Sequence, residues 1–350
     1  MRGCGRDHGK PRCQTRIKVA HTSFAFIVFI IAVTLFFEYL NGVNNAGNSV
    51  ATIVSTRVLS PLVAVLLAAF FNFAAAFVFG TEVATTIGKG VVDPKSVTAL
   101  IIFAAVVSSS LWVHFCTVYG IPISASHALI GGLIGAAAMS KGFGVLKVAG
   151  IVKIVSFIFI APMIGLIFGF INMIIIYWLF RRASAQKVDR LFRRLQLVSA
   201  ALYSLGHGTN DAQKAMGIIA ILLYSTGKLS TSAGIPMWVI LACHTAIGIG
   251  TMMGGWRVVK TMGSKITKLQ PVGGFAAETA GAITIFGATA LGIPVSTTHI
   301  ITGAIMGVGS TRGLSSVRWT VARRIVWAWV LTIPASALVS AATYFIMKLF

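Results

Sequence analysis

The chain has 350 residues and a formal net charge of +22, with 57% hydrophobic and only 10% charged residues. An ordinary soluble domain carries about 25% charged residues, so this composition excludes that class and calls for a bilayer as solvent. The basic residues lie in short clusters between apolar runs and not on a folded polar module, which fits the positive-inside rule and excludes a nucleic-acid partner.

Residues 1–20 form a basic N-terminal tail with Arg2, Arg6, Lys10, Arg12, Arg16 and Lys18. The apolar run at 22–40 is too long for a signal-peptide core and reads as a retained first span, with Glu38 at its end in an ordinary interface position. A polar stretch, NGVNNAGNSVA, follows from Asn41 and carries Asn44, Asn45 and Asn48. Further apolar segments occur at 61–80, 97–119, 121–139 and 151–180, with Glu82 near a segment end. RRASAQKVDRLFRR then marks a basic cytoplasmic linker at 181–196.

Beyond the linker, short apolar runs at 197–205 and 212–224 flank GHGTNDAQK, which holds His207, Thr209, Asn210, Asp211, Gln213 and Lys214. Segments at 236–255, 274–291, 293–308 and 322–350 complete the chain, and Glu278 stands alone in an otherwise uncharged span. The four cysteines, Cys4, Cys13, Cys116 and Cys243, lack metal-ligand spacing, and no metal site is assigned.

The chain repeats itself. GIPISASHALIGGLIGA at 120–136 matches GIPVSTTHIITGAIMGV at 292–308, with Pro122 over Pro294, Ser124 over Ser296, His127 over His299, Gly131 over Gly303 and Gly135 over Gly307. Upstream, Asn44 lies over Asn210 and Asn45 over Asp211, and Pro61, Leu66, Gly80 and Gly88 lie over Pro236, Leu241, Gly255 and Gly263. The order of features is shared, so the chain is read as an all-α polytopic membrane protein with two homologous repeats, 21–180 and 197–350. Inversion of the repeats would put equivalent loops on opposite sides of the membrane. The near-neutral loop of Glu82, Lys89, Asp93 and Lys95 against the basic one of Arg257, Lys260, Lys265 and Lys268 fits this; the pair of Lys141, Lys147 and Lys153 against Arg312, Arg318, Arg323 and Arg324, basic on both sides, does not, nor does the basic tail against the basic linker.

The segments opening at Pro122 and Pro294 follow a Gly-Ile-Pro break and read as re-entrant or broken helices, which are tolerated at membrane depth only around a protein-lined or watery cavity. A helix starting there offers unpaired N–H groups and a partial positive charge, to which Ser124, Ser126, Ser296, Thr297 and Thr298 add hydroxyl donors. The same hydroxyls would also serve as plain helix caps. His127 and His299 could follow the protonation of a bound anion. Asn44, Asn45, Asn48 and Asn210 supply oxygens suited to a hard cation such as sodium, whereas Asp211 and Glu278 could take a cation or a proton. Lys214 is either the ion-pair partner of Asp211 or an anion ligand.

These four motifs in order, NGVNNAGNSVAT, PISASH, GHGTNDAQKAMGIIA and PVSTTH, resemble the signatures of the inorganic phosphate transporter (PiT) family, nearest to its bacterial low-affinity branch. The resemblance covers the chain from about residue 22. It implies a multi-pass symporter in the cell membrane, a homodimer with inverted repeats whose half-helices meet near the bilayer centre. Inorganic phosphate, free or as a metal–phosphate complex, would be held between the repeats by Ser124, Ser126, Ser296, Thr297 and Thr298, with Asn44, Asn48, Asn210 and Asp211 nearby. The coupling cation, proton or sodium, would be served by Asn45, Asp211, Glu278, His127 and His299, without a further cofactor. The family usually has Asp at the position of Asn45. The alternatives are a permease for sulfate or another oxyanion and a non-transporting anion sensor; an enzyme would need a nucleophile and base at recognisable spacing, and none is present.

Overall fold

A computed structural model describes residues 23–78, 80–92, 96–230 and 233–349. The described residues fold into helices α1 (Phe24–Ser55), α2 (Pro61–Ala74), α3 (Glu82–Gly90), α4 (Ala99–Val118), α5 (Ala125–Lys141), α6 (Val148–Leu179), α7 (Ala185–Ser225), α8 (Met237–Met253), α9 (Trp256–Lys260), α10 (Pro271–Ala290), α11 (Thr297–Ser310) and α12 (Trp319–Leu349). The basic tail lies outside the described residues, as do Asp93 and Lys95.

Four helices, α1, α4, α6 and α12, are long and apolar enough to cross a membrane. A fifth span arises if α8 and the segment from Trp256 to Lys265, bent by 65° at Gly254–Gly255, are taken together. The outward faces of α6 and α12 are apolar, with Phe159, Phe168, Trp327 and Leu338 exposed, as expected where lipid replaces water.

The order of elements is duplicated. Helices α1 to α6 recur as α7 to α12, and α6 and α12 each carry an internal proline, Pro162 and Pro334. The halves interlock. Helix α5 packs on α12, α11 on α6, α1 on α8 and α2 on α7, so each of the two hydrophobic cores draws helices from both repeats.

Small residues make the interlocking close. A Cβ added at Gly131 or Gly135 would collide with the carbonyl oxygens of Ile333 or Ala337 in α12; one at Gly303 or Gly307 would meet those of Pro162 or Leu166 in α6. Where apolar surface has no hydrophobic drive to associate, such backbone approach supplies the contact energy. The repeated glycines are thus the sequence trace of two equivalent helix crossings.

One expectation is corrected. The polar motifs do not separate short apolar helices: α7 runs unbroken for 41 residues, about 62 Å at 1.5 Å per residue, through GHGTNDAQK. Residues 185–196 of the segment read as a linker form the first turns of α7, because they contain no glycine or proline to stop a helix whose exposed side carries Lys187, Arg190 and Arg194.

Substituting Gly131→Val or Gly303→Val should overpack the α5–α12 or α11–α6 crossing and destabilise the protein by about 1–3 kcal/mol or more. Gly287→Ala, with open space around its position, should leave stability unchanged or slightly raised. Thermal unfolding of the three variants in detergent measures the difference.

Candidate functional site

Each half-helix is launched by the same local device. Helix α4 ends with Gly120 in the left-handed region at φ 68°, and the amides of Gly120 and Ile121 bond back to the carbonyls of Thr117 and Cys116. Helix α10 ends the same way at Gly292, φ 63°, with Gly292 and Ile293 bonding back to Thr289 and Ala288. This closing motif favours glycine because no Cβ opposes the positive φ. Pro122 and Pro294 follow and forbid helix continuation.

The chain then runs extended to Ser124 and Ser296, whose backbone angles match within 2° in φ and coincide in ψ at 108°. Their hydroxyls cap α5 and α11 by accepting from the amides of His127 at 3.3 Å and His299 at 3.4 Å. With 17 and 14 residues, α5 and α11 are about 25 and 21 Å long, short of a ~30 Å hydrocarbon core. Their first turns are buried.

These buried starts meet. Thr298 Oγ1 lies 3.0 Å from the Ile123 carbonyl ahead of α5, and the His127 and His299 rings stand edge to face at 4.9 Å. Trp329 of α12 stacks on His299 at 3.9 Å and donates its indole N–H to the Pro122 carbonyl at 3.1 Å. Beyond the first turns the helices part: α5 packs on α4 and α12, and α11 on α6 and α10.

Helix α1 lays an amide ladder across this junction. Asn48 Nδ2 donates to Thr298 Oγ1 at 2.8 Å, and Thr298 Oγ1 lies 3.1 Å from Asn45 Oδ1, so its single proton is shared between Asn45 and Ile123. Asn45 Nδ2 donates to Asn41 Oδ1 and to Asp211 Oδ2, each at 2.7 Å. Lys214 Nζ donates to Asp211 Oδ1 at 2.6 Å and to the Val295 carbonyl at 2.9 Å. His207 Nε2 is 3.3 Å and Thr297 Oγ1 3.4 Å from Asp211 Oδ2. Lys214 is thus the partner of Asp211, both being 2% exposed.

Asn44 and Asn210 have another job in this state. Asn44 Nδ2 donates to Thr117 in α4 at 2.8 Å, and Asn210 Nδ2 donates to Thr289 in α10 at 2.9 Å, so each ties its helix to an equivalent threonine. The Oδ1 atoms of Asn44, Asn48 and Asn210 are buried without a hydrogen-bond partner among the described residues. Such acceptors carry a desolvation cost that a cation or a donor ligand would relieve. Ser126 is buried on the first turn of α5.

Glu278 is fully buried but belongs to a different cluster. Thr52 donates to its Oε1 at 2.6 Å and Gln196 to the same atom at 3.0 Å, while Ser199 donates to Oε2. Glu38, expected at an interface, is also fully buried: it receives Asn41 Nδ2 at 3.2 Å on Oε1 and nothing on Oε2. It is buried because α1 continues for four more turns past the apolar run, so residue 38 falls mid-helix and faces α7 and α8. Among the described residues, no group of three or more His, Cys, Asp and Glu could hold a metal ion.

Sequence reasoning missed Asn72, Trp329 and Tyr203. Asn72 Oδ1 accepts from His207 Nδ1 at 3.0 Å and its Nδ2 donates to Thr251 at 2.9 Å; as the lone polar residue in an apolar helix it carried a signal. Tyr203 donates to the Thr297 carbonyl at 3.1 Å and, like Trp329, had no signal beyond its type.

Two meeting half-helices, an amide ladder and a buried carboxylate lie together at the junction of the repeats. The model of the phosphate transporter family matches residues 41–340.

The chain belongs to the phosphate transporter family. It is 56% identical over 326 residues to a protein of Rhizobium meliloti (strain 1021) described as a probable low-affinity inorganic phosphate transporter, covering 93% of this chain and 98% of that one. A Bacillus subtilis (strain 168) protein of the same description is 45% identical, with 92% and 97% covered. Among solved structures, one described as the sodium-dependent phosphate transporter superposes with a TM-score of 0.83 at 26% identity, covering 93% of this chain and all of that one. These relatives are transporters and not enzymes, and membership makes this chain a multi-pass membrane protein. Asn45 makes the junction asymmetric: one half contributes a carboxylate, the other an amide that bonds to it.

Removing one member of the Asp211–Lys214 pair leaves the other as an uncompensated buried charge. Asp211→Asn and Lys214→Met should each lower stability by about 3–5 kcal/mol, and the double variant should recover part of that loss. A double-mutant cycle of unfolding free energies in detergent measures the coupling; additive losses would show that the pair is not a unit.

Proposed function

We propose that this chain is a secondary active transporter that carries inorganic phosphate across the cell membrane as a symporter. The observation that carries the reading is the meeting of two equivalent buried helix starts. Around them Ser124, Ser126, Ser296, Thr297 and Thr298 offer hydroxyls and the first turns of α5 and α11 offer unpaired amides. Such a cradle suits a tetrahedral oxyanion, and family membership selects phosphate over sulfate.

Two helices that touch only at their N-termini diverge from a common point, which supports inverted repeats with the site between them. Alternating access is then a displacement of one interlocked group of helices against the other, with Thr298 as a contact that must break and reform. The coupling ion, a proton or sodium, is served by Asn45, Asp211, Glu278, His127 and His299, and the cargo is phosphate, as the free anion or as a neutral metal complex. A homodimer in the cell membrane belongs to the same reading, on the strength of the family resemblance.

Purified protein in liposomes should accumulate labelled phosphate, with arsenate competing and sulfate not. Sulfate competition equal to arsenate would move the reading to a general oxyanion permease, and no uptake under any cation or proton gradient would sink transport in favour of an anion sensor. Thr298→Val, which loses the contacts to Asn45, Asn48 and Ile123, should cut uptake by about tenfold or more, equivalent to about 1.4 kcal/mol.

A further inference from the structure

We propose that the cleft between the end of α6 and the start of α7 binds one anionic phospholipid, with an acyl chain against its apolar lining and the phosphate against the arginines at its rim. The cleft shares no residue with the half-helix junction, so its occupant is independent of what the junction carries.

The two helices that form the cleft mark where the bilayer ends. Helix α6 exposes Ile171, Ile174 and Ile175, then Tyr177, Trp178 and Leu179, and Arg181 and Arg182 follow it. Apolar, then aromatic, then basic is the order in which a helix meets the hydrocarbon, the interface and the headgroups. Helix α7 runs through the same order in reverse: Arg190, Arg193 and Arg194 are exposed in its early turns, and Leu197, Val198 and Leu202 after them. Its first three turns therefore stand at and beyond the headgroup level, where they wall one side of the cleft.

The cleft holds an open pocket of about 250 Å³. Ile176 of α6, Phe180 behind it, Val188 of α7, and Pro271 and Val272 at the start of α10 give it an apolar lining. Phe180 stands edge-on to Phe192 at 5.3 Å, and Phe192 to Phe275 of α10 at 5.2 Å, so α7 and α10 brace that lining from behind. Apolar surface left open at headgroup level costs free energy in water, and a hydrocarbon chain rising from the bilayer would cover it.

The rim is cationic. Asp189, the carboxylate in the lining, is neutralised: its Oδ2 accepts from Arg193 Nε at 2.8 Å. Arg181 also lines the pocket, and its Cζ lies 5.4 Å over the Trp178 ring, which keeps the guanidinium at the level of the aromatic belt. Arg312 Nη2 donates to Gln270 Oε1 at 3.0 Å, and Gln270 lines the pocket, so a second guanidinium stands at the rim. A shallow depression that shares Ala185 and Asp189 with the pocket adds Arg190 and Arg193. An apolar slot beneath guanidinium groups matches a ligand with a hydrocarbon tail and a phosphodiester head, which the planar guanidinium fork suits. A zwitterionic phospholipid brings a cation that this rim repels, and a soluble phosphate brings no chain for the slot.

Thermal unfolding of the full-length protein in a neutral detergent tests the assignment, with phosphatidylglycerol, phosphatidylcholine or the deacylated headgroup glycerophosphoglycerol added. Phosphatidylglycerol should raise the melting temperature saturably, and the other two should not. Arg181→Gln combined with Arg190→Gln should leave the melting temperature without lipid unchanged and raise the phosphatidylglycerol concentration for half the effect about tenfold. Val272→Trp, which fills the slot and keeps every arginine, should weaken the response similarly. Arg323→Gln combined with Arg324→Gln removes an exposed basic pair outside the pocket lining and should respond as wild type.

No rise with phosphatidylglycerol in the wild type overturns the proposal, as does an equal rise with phosphatidylcholine. An equal rise with the deacylated headgroup replaces the lipid with a soluble anion. Equal losses in the pocket and α12 variants reduce the effect to general attraction by a basic face, and a folded Val272→Trp protein with an undiminished response removes the acyl chain from the slot; either result overturns the site.

Discussion

An α-helix that begins inside a membrane protein presents about four amide groups with no partner of their own, in a medium where each unsatisfied group is expensive. That constraint is met twice here, by equivalent means. Ser124 and Ser296 satisfy one amide in each first turn, and the two starts are pressed together by Thr298 and the His127–His299 contact. Amides left over in both turns then share one small volume. The same arrangement that would destabilise an empty helix end concentrates donor groups where an anion can use them, and the rest of the fold holds the two ends in register.

That holding is done by glycine and by symmetry. Gly131 and Gly135 bring α5 against α12, and Gly303 and Gly307 bring α11 against α6, so each half-helix is gripped by the last long helix of the other repeat. A rigid grip far from the start of a helix leaves the start itself free to be set by few contacts. Thr298 is the contact in question: it touches the opposite loop through Ile123 and the amide ladder of α1 through Asn45 and Asn48. A junction held by this hydroxyl, the His127–His299 contact and the Trp329–Pro122 bond can open without unpacking either glycine crossing.

Much of this was legible in the sequence because duplication makes a pattern visible against itself. The Gly-Ile-Pro breaks and the Ser caps were read as broken helices, and the structure starts a helix at each. Where reasoning failed, the cause was a period argument applied to composition. GHGTNDAQK looked like an interruption because it is polar, yet it contains no proline and its His207, Asn210 and Asp211 side chains find partners on α2, α10 and α1, so α7 passes straight through. Glu38 was misplaced for the same reason: the apolar run ends near it, but the helix does not. Trp329 touches the site from an element far along the chain, and only the packing of α12 could reveal it, whereas Asn72 stood out as the lone polar residue of α2.

The amide ladder of α1 also orders the buried carboxylates. Glu38, Asn41, Asn45, Asn48 and Thr52 follow at three- and four-residue steps, so they line one face over about 21 Å. Glu38 bonds at one end of that face, Asp211 at its middle and Glu278 at the other end through Thr52. Only the middle carboxylate meets a lysine; the outer two are held by neutral donors. Charge compensation is therefore concentrated where α11 begins, and the flanking carboxylates take only neutral donors among the described residues. Each buried carboxylate costs more than the apolar residue that could replace it, so three of them beside one face of α1 are a cost that packing alone does not explain.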